Sequence, residues 1–268
     1  FIRSTGAYFI RRRSRNNLYR KVLARYVQMA TAAGVTQAVF PEGSLSRDGA
    51  LKPAKLGLLH YIVSDFNLEQ ERDVVFVPVG VNYDRVLEDR VLLAAHKGEK
   101  KGVFFKIWVF LHFIIRHVLL RMVRRFYKFG YASVSFGVPI SLKAFVADKK
   151  FMSRERMTRE LGKKLMREVG QVVPVLPVSL ISTVLLNQDE QTMSEAQLQE
   201  WSREELDSLL AKGAHMHIPR NDLNYAIRVG LRILILRRAL ELKDGMYHFK
   251  SDAKELIQYY ANAISHLR

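Results

Sequence analysis

The sequence predicts an α/β fold, a mixed sheet flanked by helices, followed by a mainly helical C-terminal region. Three observations predict it. Apolar runs at 35–40 and 74–79 and an alternating run at 132–138 read as strands. Helix-period segments lie between them, and from Ser153 onward the pattern is mostly helical. Strand, helix, strand with short joins is the logic of α/β domains, whose ligands sit beyond the strand ends.

Taken in order, Leu18, Val22, Tyr26, Met29 and Ala33 recur at helical spacing, and Gly34 is a fitting stop. Residues 35–40 read as a short strand ending abruptly in the tight turn Pro41-Glu42-Gly43-Ser44. Pro53 suits the first turn of a helix carrying Leu56, Leu59, Ile62 and Val63. Residues 74–79 are apolar without alternation, which predicts a strand buried on both faces. Residues 132–138 alternate and stop at Pro139. Helices are expected over 154–169, 194–210, 223–242 and 253–267, with Pro174 and Pro177 punctuating the join. A soft boundary falls near 150, giving an α/β domain over 1–150 and a helical region over 151–268.

The chain has 268 residues, 49% hydrophobic and 26% charged, which are globular values that exclude wholesale disorder. Net charge is +17, and its distribution says more than its size: residues 1–184 carry +18 and residues 185–268 carry −1. The first 41 residues hold eight Lys/Arg and no acid. A basic first part fits a phosphate substrate, an acidic carrier protein, anionic lipid or nucleic acid. The absence of cysteine excludes disulfides, thiolate nucleophiles and Cys-based metal sites. Residues 103–121 are the most apolar segment, about the length of a membrane span. Lys106, His112, Arg116 and His117 interrupt it, and residues 97–128 hold nine Lys/Arg against one acid. An interfacial helix with a basic face is the reading preferred over a core helix or a true span.

The chemistry-bearing stretch is Phe40-Pro-Glu42-Gly43-Ser44-Leu-Ser46-Arg47-Asp-Gly49. Gly43 takes backbone angles closed to other residues and has no side chain to keep a ligand away. Glu42 is an acceptor, Ser44 and Ser46 are small hydroxyls, and Arg47 is a positive fork for phosphate or carboxylate. Bare backbone, hydroxyls and a cation together suit an anion. Taken alone, the same residues fit an ordinary strand-to-helix loop equally well.

The company this stretch keeps decides between the two. Upstream is Gly6-Ala-Tyr-Phe-Ile10-Arg11-Arg12-Arg13, and downstream Val75-Phe-Val-Pro78-Val. In that order the blocks resemble the glycerolipid acyltransferases, and most closely their glycerol-3-phosphate acyltransferase branch. Ser46-Arg47-Asp48-Gly49 and Lys52-Pro53-Ala54-Lys55 continue the likeness, as do residues 177–186 and 259–266. The resemblance covers nearly the whole chain. It implies acyl transfer from acyl-CoA or acidic acyl-carrier protein to the sn-1 hydroxyl of glycerol 3-phosphate, giving lysophosphatidic acid, the first step of phospholipid synthesis. Dihydroxyacetone phosphate or a lysophospholipid as acceptor, or a catalytically dead membrane-binding relative, are the alternatives.

By position, the resemblance assigns Arg11, Arg12, Glu42, Gly43, Ser44, Ser46, Arg47 and Lys55 to substrate binding. Arg11 and Arg47 would contact phosphate, and Glu42 would accept from glycerol hydroxyls or hold the loop. Leu45 departs from the pattern, because many relatives carry Arg there. The family's His-x-x-x-x-Asp motif, which supplies the base and its orienting acid, is expected upstream of Phe1. The chain is therefore read as an internal fragment, inactive alone, of an enzyme that needs no metal or cofactor. Membrane association on the cytoplasmic face is expected, at the inner membrane if the source is bacterial.

Three further features are set aside. His60-Tyr-Ile-Val-Ser-Asp65 has the His-x-x-x-x-Asp spacing, but in a helix positions five apart lie about 140° apart around the axis. His215-Met-His217 has metal-like spacing but lacks a third ligand. A nucleic-acid module is disfavoured, since no helix-turn-helix, zinc-finger or RNP pattern accompanies the arginines.

Overall fold

The computed structural model describes residues 6, 10–11, 16–69, 72–97, 130–149, 151–216 and 218–268. Residues 103–121, expected as an interfacial helix, lie outside them, as does Arg12. The chain is α/β with a largely helical C-terminal part. It groups into two compact units. One comprises Phe1–Gly43, Ala54–Phe76 and Pro139–Leu165; the other comprises Ser44–Pro53, Val77–Val138 and Met166–Arg268.

The first unit starts with α1 (Asn17–Ala32), capped by Asn16, whose side chain accepts from Tyr19 N at 3.1 Å. This helix packs on α2 (Gly57–Asp65), where Gln28 Nε2 donates to Tyr61 O at 3.4 Å, and its Val27 is buried. The periodic set Leu18, Val22, Tyr26 and Met29 is the opposite, exposed face. Strand β1 (Val75–Phe76) pairs antiparallel with β4 (Ile140–Ser141). Ser141 then caps α4 (Leu142–Asp148), its Oγ accepting from Ala144 N at 3.0 Å. Helix α5 (Arg154–Gln171) closes this core, where Val63, Phe66, Leu142, Phe145, Met157 and Leu161 are buried together. Each such side chain contributes about 1.5–3 kcal/mol by leaving water.

Residues 35–40, expected as a strand, are irregular, because no described strand pairs with them. The expected doubly buried strand over 74–79 is also corrected. It is broken at Pro78 into β1 and β2 (Val79–Tyr83), and alternate residues Val75, Val77, Val79 and Val81 are exposed. Periodicity alone could not reveal that one apolar face is uncovered.

In the second unit β2 pairs antiparallel with β3 (Ala132–Phe136), and α3 (Asp89–His96) follows β2 in the chain. The central helix is α6 (Pro177–Asn187), buried along Pro177–Leu185, with Pro177 at its first turn where no N–H is needed. It is apolar on nearly all sides, as a wholly buried helix must be. Around it lie α7 (Glu195–Ala211), α8 (Leu223–Leu236) and α9 (Lys254–Asn262). Ser194 and Gln197 form a reciprocal cap on α7, and Asp222 accepts from Tyr225 N at 2.9 Å on α8. The expected helix over 223–242 ends early. Its last part is β6 (Leu240–Lys243), which turns through Asp244-Gly245 into β7 (Met246–Phe249). Those two residues have φ of 50° and 75°, as a two-residue hairpin turn requires. Strand β5 (Thr192–Ser194) completes a sheet in the order β5-β7-β6.

Two buried carboxylates knit this unit. Asp84 accepts from Val178 N at 3.0 Å and Tyr131 N at 2.9 Å. Asp89 is fully buried, pairs with Arg237, and accepts from Tyr260 Oη at 2.7 Å. Burial, then the Asp89 charge, push the Tyr260 phenol far above its ordinary value. Asp89→Ala should cost about 3–5 kcal/mol, because it leaves the Arg237 guanidinium without its carboxylate. Tyr260→Phe should cost only about 1–2 kcal/mol. Urea unfolding followed by circular dichroism measures both, and equal losses would refute the ion-pair account.

Near the C-terminal end, His266 Nε2 sits 2.9 Å from Gly170 O. Burial lowers the imidazole pKa, against the opposing hydrogen bond to Gly170. Below about 6.5 the unfolded chain takes up a proton that the folded chain refuses, so stability falls as pH falls through this window. The melting temperature of the wild type should therefore drop more between pH 7.5 and 5.5 than that of His266→Gln.

Candidate functional site

In the first unit the motif stretch is a turn. Gly43 N donates to Phe40 O at 2.9 Å, closing Phe40-Pro41-Glu42-Gly43, and Lys55 N donates to Pro41 O at 2.8 Å. Gly43 has φ of +67°, and a Cβ there would lie 2.8 Å from Lys55 Cδ and 3.5 Å from its Nζ. The lysine stem therefore lies directly over the bare glycine backbone, with its ammonium beside the turn. Glu42 and Gly43 are half-buried, while Lys55 is exposed. Gly43 and Lys55 are brought together; their sequence separation gave no hint of it.

Arg11 is held at its backbone, where its N–H donates to Tyr19 Oη at 2.8 Å on the first turn of α1, and its side chain is exposed. His60 lies within α2, its Nδ1 3.4 Å from Thr158 Oγ1. His60 and Asp65 therefore share one helix and point in divergent directions. Among the described residues no cluster of three or more His, Asp or Glu could hold a metal, and His217 of the His215-Met-His217 pair lies outside them.

In the second unit the loop from Ser44 to Pro53 is built from its own side chains. Ser44, Leu45 and Arg47 are exposed. Ser46 Oγ lies 3.0 Å from Asp48 Oδ1 and 2.9 Å from Ala50 O, with its one proton shared between them. Asp48 Oδ1 also accepts from Ala50 N at 3.3 Å and faces Lys52 Nζ at 3.6 Å. Burial alone would raise the Asp48 pKa. The Ser46 and backbone hydrogen bonds, with the Lys52 charge, outweigh it and hold the carboxyl below its ordinary value.

The loop is then locked to α9. Asn262 Nδ2 donates to Asp48 O at 2.8 Å, and Gly49, with φ of +84°, leaves no room for a Cβ, which would meet Tyr259 O at 1.9 Å. No local pattern marks Tyr259 or Asn262 as a partner of the loop; the signal in the sequence is the family-like run at 259–266. Burial, then the Asp89, Asp48 and Glu88 charges, raise the Tyr259 phenol to about 12, so it stays protonated and is no base at neutral pH. Arg47 Nη1 reaches Ala95 O at 3.5 Å, in the last turn of α3. A cation is favoured there because the terminal carbonyls lack helical partners.

A family model described as acyltransferase matches residues 1–82, and one described as glycerol-3-phosphate acyltransferase C-terminal region matches residues 117–268. The chain belongs to the glycerol-3-phosphate acyltransferase family. It is 28% identical to the glycerol-3-phosphate acyltransferase of Alteromonas mediterranea, over 99% of this chain and 33% of that protein. Identity is 26% to the protein of that name from Pseudomonas entomophila, over 99% and 33%. It is 27% to that of Pseudoalteromonas atlantica, over 99% and 34%. The chain thus spans about a third of the length of the curated relatives it matches.

Within this member of the family the loop and its clamp fall in different matches. Ser46 to Gly49 lies in the acyltransferase match, and Tyr259 and Asn262 lie in the C-terminal match. The C-terminal region is therefore part of the support for the motif loop.

The two glycines should differ when substituted. Gly49→Ala meets a backbone carbonyl as well as an unfavourable φ and should cost about 2–4 kcal/mol. Gly43→Ala shares the unfavourable φ but meets a flexible lysine stem instead of a carbonyl, and should cost about 1–2 kcal/mol. Urea midpoints of the two variants test the order.

Proposed function

We propose that the enzyme carrying this chain transfers a fatty acyl group from acyl-CoA or acyl-carrier protein to the sn-1 hydroxyl of glycerol 3-phosphate, giving lysophosphatidic acid. Family membership over the whole chain supports the reaction class. The observation that carries the acceptor is the Lys55 side chain folded over the Gly43 turn with its ammonium beside it, a cation placed at the motif turn, which suits a phosphate.

In the reaction the glycerol hydroxyl oxygen attacks the thioester carbonyl while a base removes its proton. The tetrahedral oxyanion then collapses and expels the thiolate, which takes up the proton. The base in this reading is the His of a His-x-x-x-x-Asp pair contributed from outside residues 1–268. By resemblance, Arg11, Arg12 and Lys55 in the first unit and Arg47 in the second are each proposed as a cation for phosphate, and Glu42 as the acceptor for glycerol hydroxyls. Gly43, Ser44 and Ser46 shape the turn and loop that carry them. No metal or cofactor is required by these steps.

The product is an anionic lipid and residues 1–184 carry +18, which supports work at an anionic membrane surface on the cytoplasmic face. Among the described residues no helix is long and apolar enough to cross a membrane.

In the full-length enzyme, thiol release from the acyl donor should require glycerol 3-phosphate. Lys55→Ala and Arg47→Ala should each raise KM for glycerol 3-phosphate about tenfold or more, with KM for the donor changed less than about twofold. Thiol release independent of glycerol 3-phosphate would sink the acceptor, and equal effects on both KM values would sink the phosphate assignment.

A further inference from the structure

The two-stranded ribbon β2–β3 is inside out. Toward the body of its unit it presents Gly80, Asn82, Ser133 and Ser135; a Cβ at Gly80 would lie 2.4 Å from Val172 O, and Asn82 Nδ2 donates to Pro174 O at 2.9 Å. Away from the body it presents Val79, Val81 and Tyr83 opposite Phe136, Val134 and Ala132, with Val77 and Val138 beyond. Phe136 is 71% and Val138 79% exposed, and none of these outward residues is charged. A strand facing water carries the opposite assignment, apolar inward and polar outward. The small and polar face is used by a close backbone, so the valine and phenylalanine rows are made for a second packing layer.

Three constraints select the occupant. Among the described residues β2 and β3 pair only with each other, so no described strand covers the outer edge of either. Hydrocarbon cannot satisfy edge N–H and C=O groups, so polypeptide fits better than a bilayer. Five residues by two strands cover about 17 Å by 10 Å, far short of the ~800 Å² per partner that stable association of separate copies needs. A covalently connected segment needs no such area, because its effective concentration is already in the millimolar range. The curated relatives have about two thirds of their length outside the matched part.

We infer that the outward face of β2–β3 docks a further segment of the same acyltransferase polypeptide, outside residues 1–268, which pairs along a ribbon edge and covers the Val79, Val81, Val134 and Phe136 rows. The inference rests on packing and family length and is independent of the proposed acceptor.

The test uses the full-length protein with p-benzoylphenylalanine at 136 (Phe136→p-benzoylphenylalanine), and separately at 134 so that one misfolded variant does not end it. Irradiation should give intrachain adducts to peptides outside residues 1–268, at a yield unchanged on tenfold dilution and without lipid or acyl donor. Val81→Cys should react with maleimide about tenfold more slowly than Lys243→Cys, whose side chain is exposed. Adducts confined to residues 1–268, adducts between copies that vanish on dilution, adducts to vesicle lipid or acyl chain, or no adduct with equal maleimide rates would each overturn it.

Discussion

The buried carboxylate of Asp84 is the constraint on which the second unit depends. It closes β2, takes Tyr131 N at the approach to β3, and takes Val178 N at the opening turn of α6. A helix opens with N–H groups that have no partner of their own, and a carboxylate supplies one where the dipole also favours negative charge. One residue thereby fixes where the ribbon stops and where the central helix starts, 94 positions further along. Asp89, five residues on, repeats the device with Arg237 and Tyr260, tying α3 to the ends of α8 and α9.

With that frame set, the chemistry-bearing parts are positioned by different means. The Pro41-Glu42-Gly43 turn is closed locally, by one hydrogen bond across the turn and one from Lys55. The Ser46-to-Gly49 loop is braced internally by Asp48 and then held from a distance by Tyr259 and Asn262. Ser46, one of the two serines that resemblance gives to substrate, has its proton engaged within the loop, and Arg47 reaches a helix end.

Much of this was legible in the sequence, because it rests on short-range signals. Helical period located α1, α2, α5, α7 and α9, and alternation located β3. The motif blocks alone point to the family. What escaped were long-range facts. Gly43 under Lys55 and Gly49 against Tyr259 are contacts that no local pattern encodes. Apolar spacing gave α1 correctly but not which face is covered, since Leu18, Val22 and Met29 are exposed while Val27 is buried. The β6–β7 hairpin carried its own signal, Asp244-Gly245, which the preceding run of leucines and isoleucines masked by prolonging a helical pattern.

The clamp from Asn262 to Asp48 also has a consequence in time. The two residues are 214 positions apart, so on a ribosome adding roughly 5–20 residues per second the loop waits roughly 10–40 s for the side chain that holds it. Throughout that interval the motif residues are already synthesised but lack the brace supplied by α9. Interrupted synthesis would yield chains whose motifs read as intact yet whose loop has never been set.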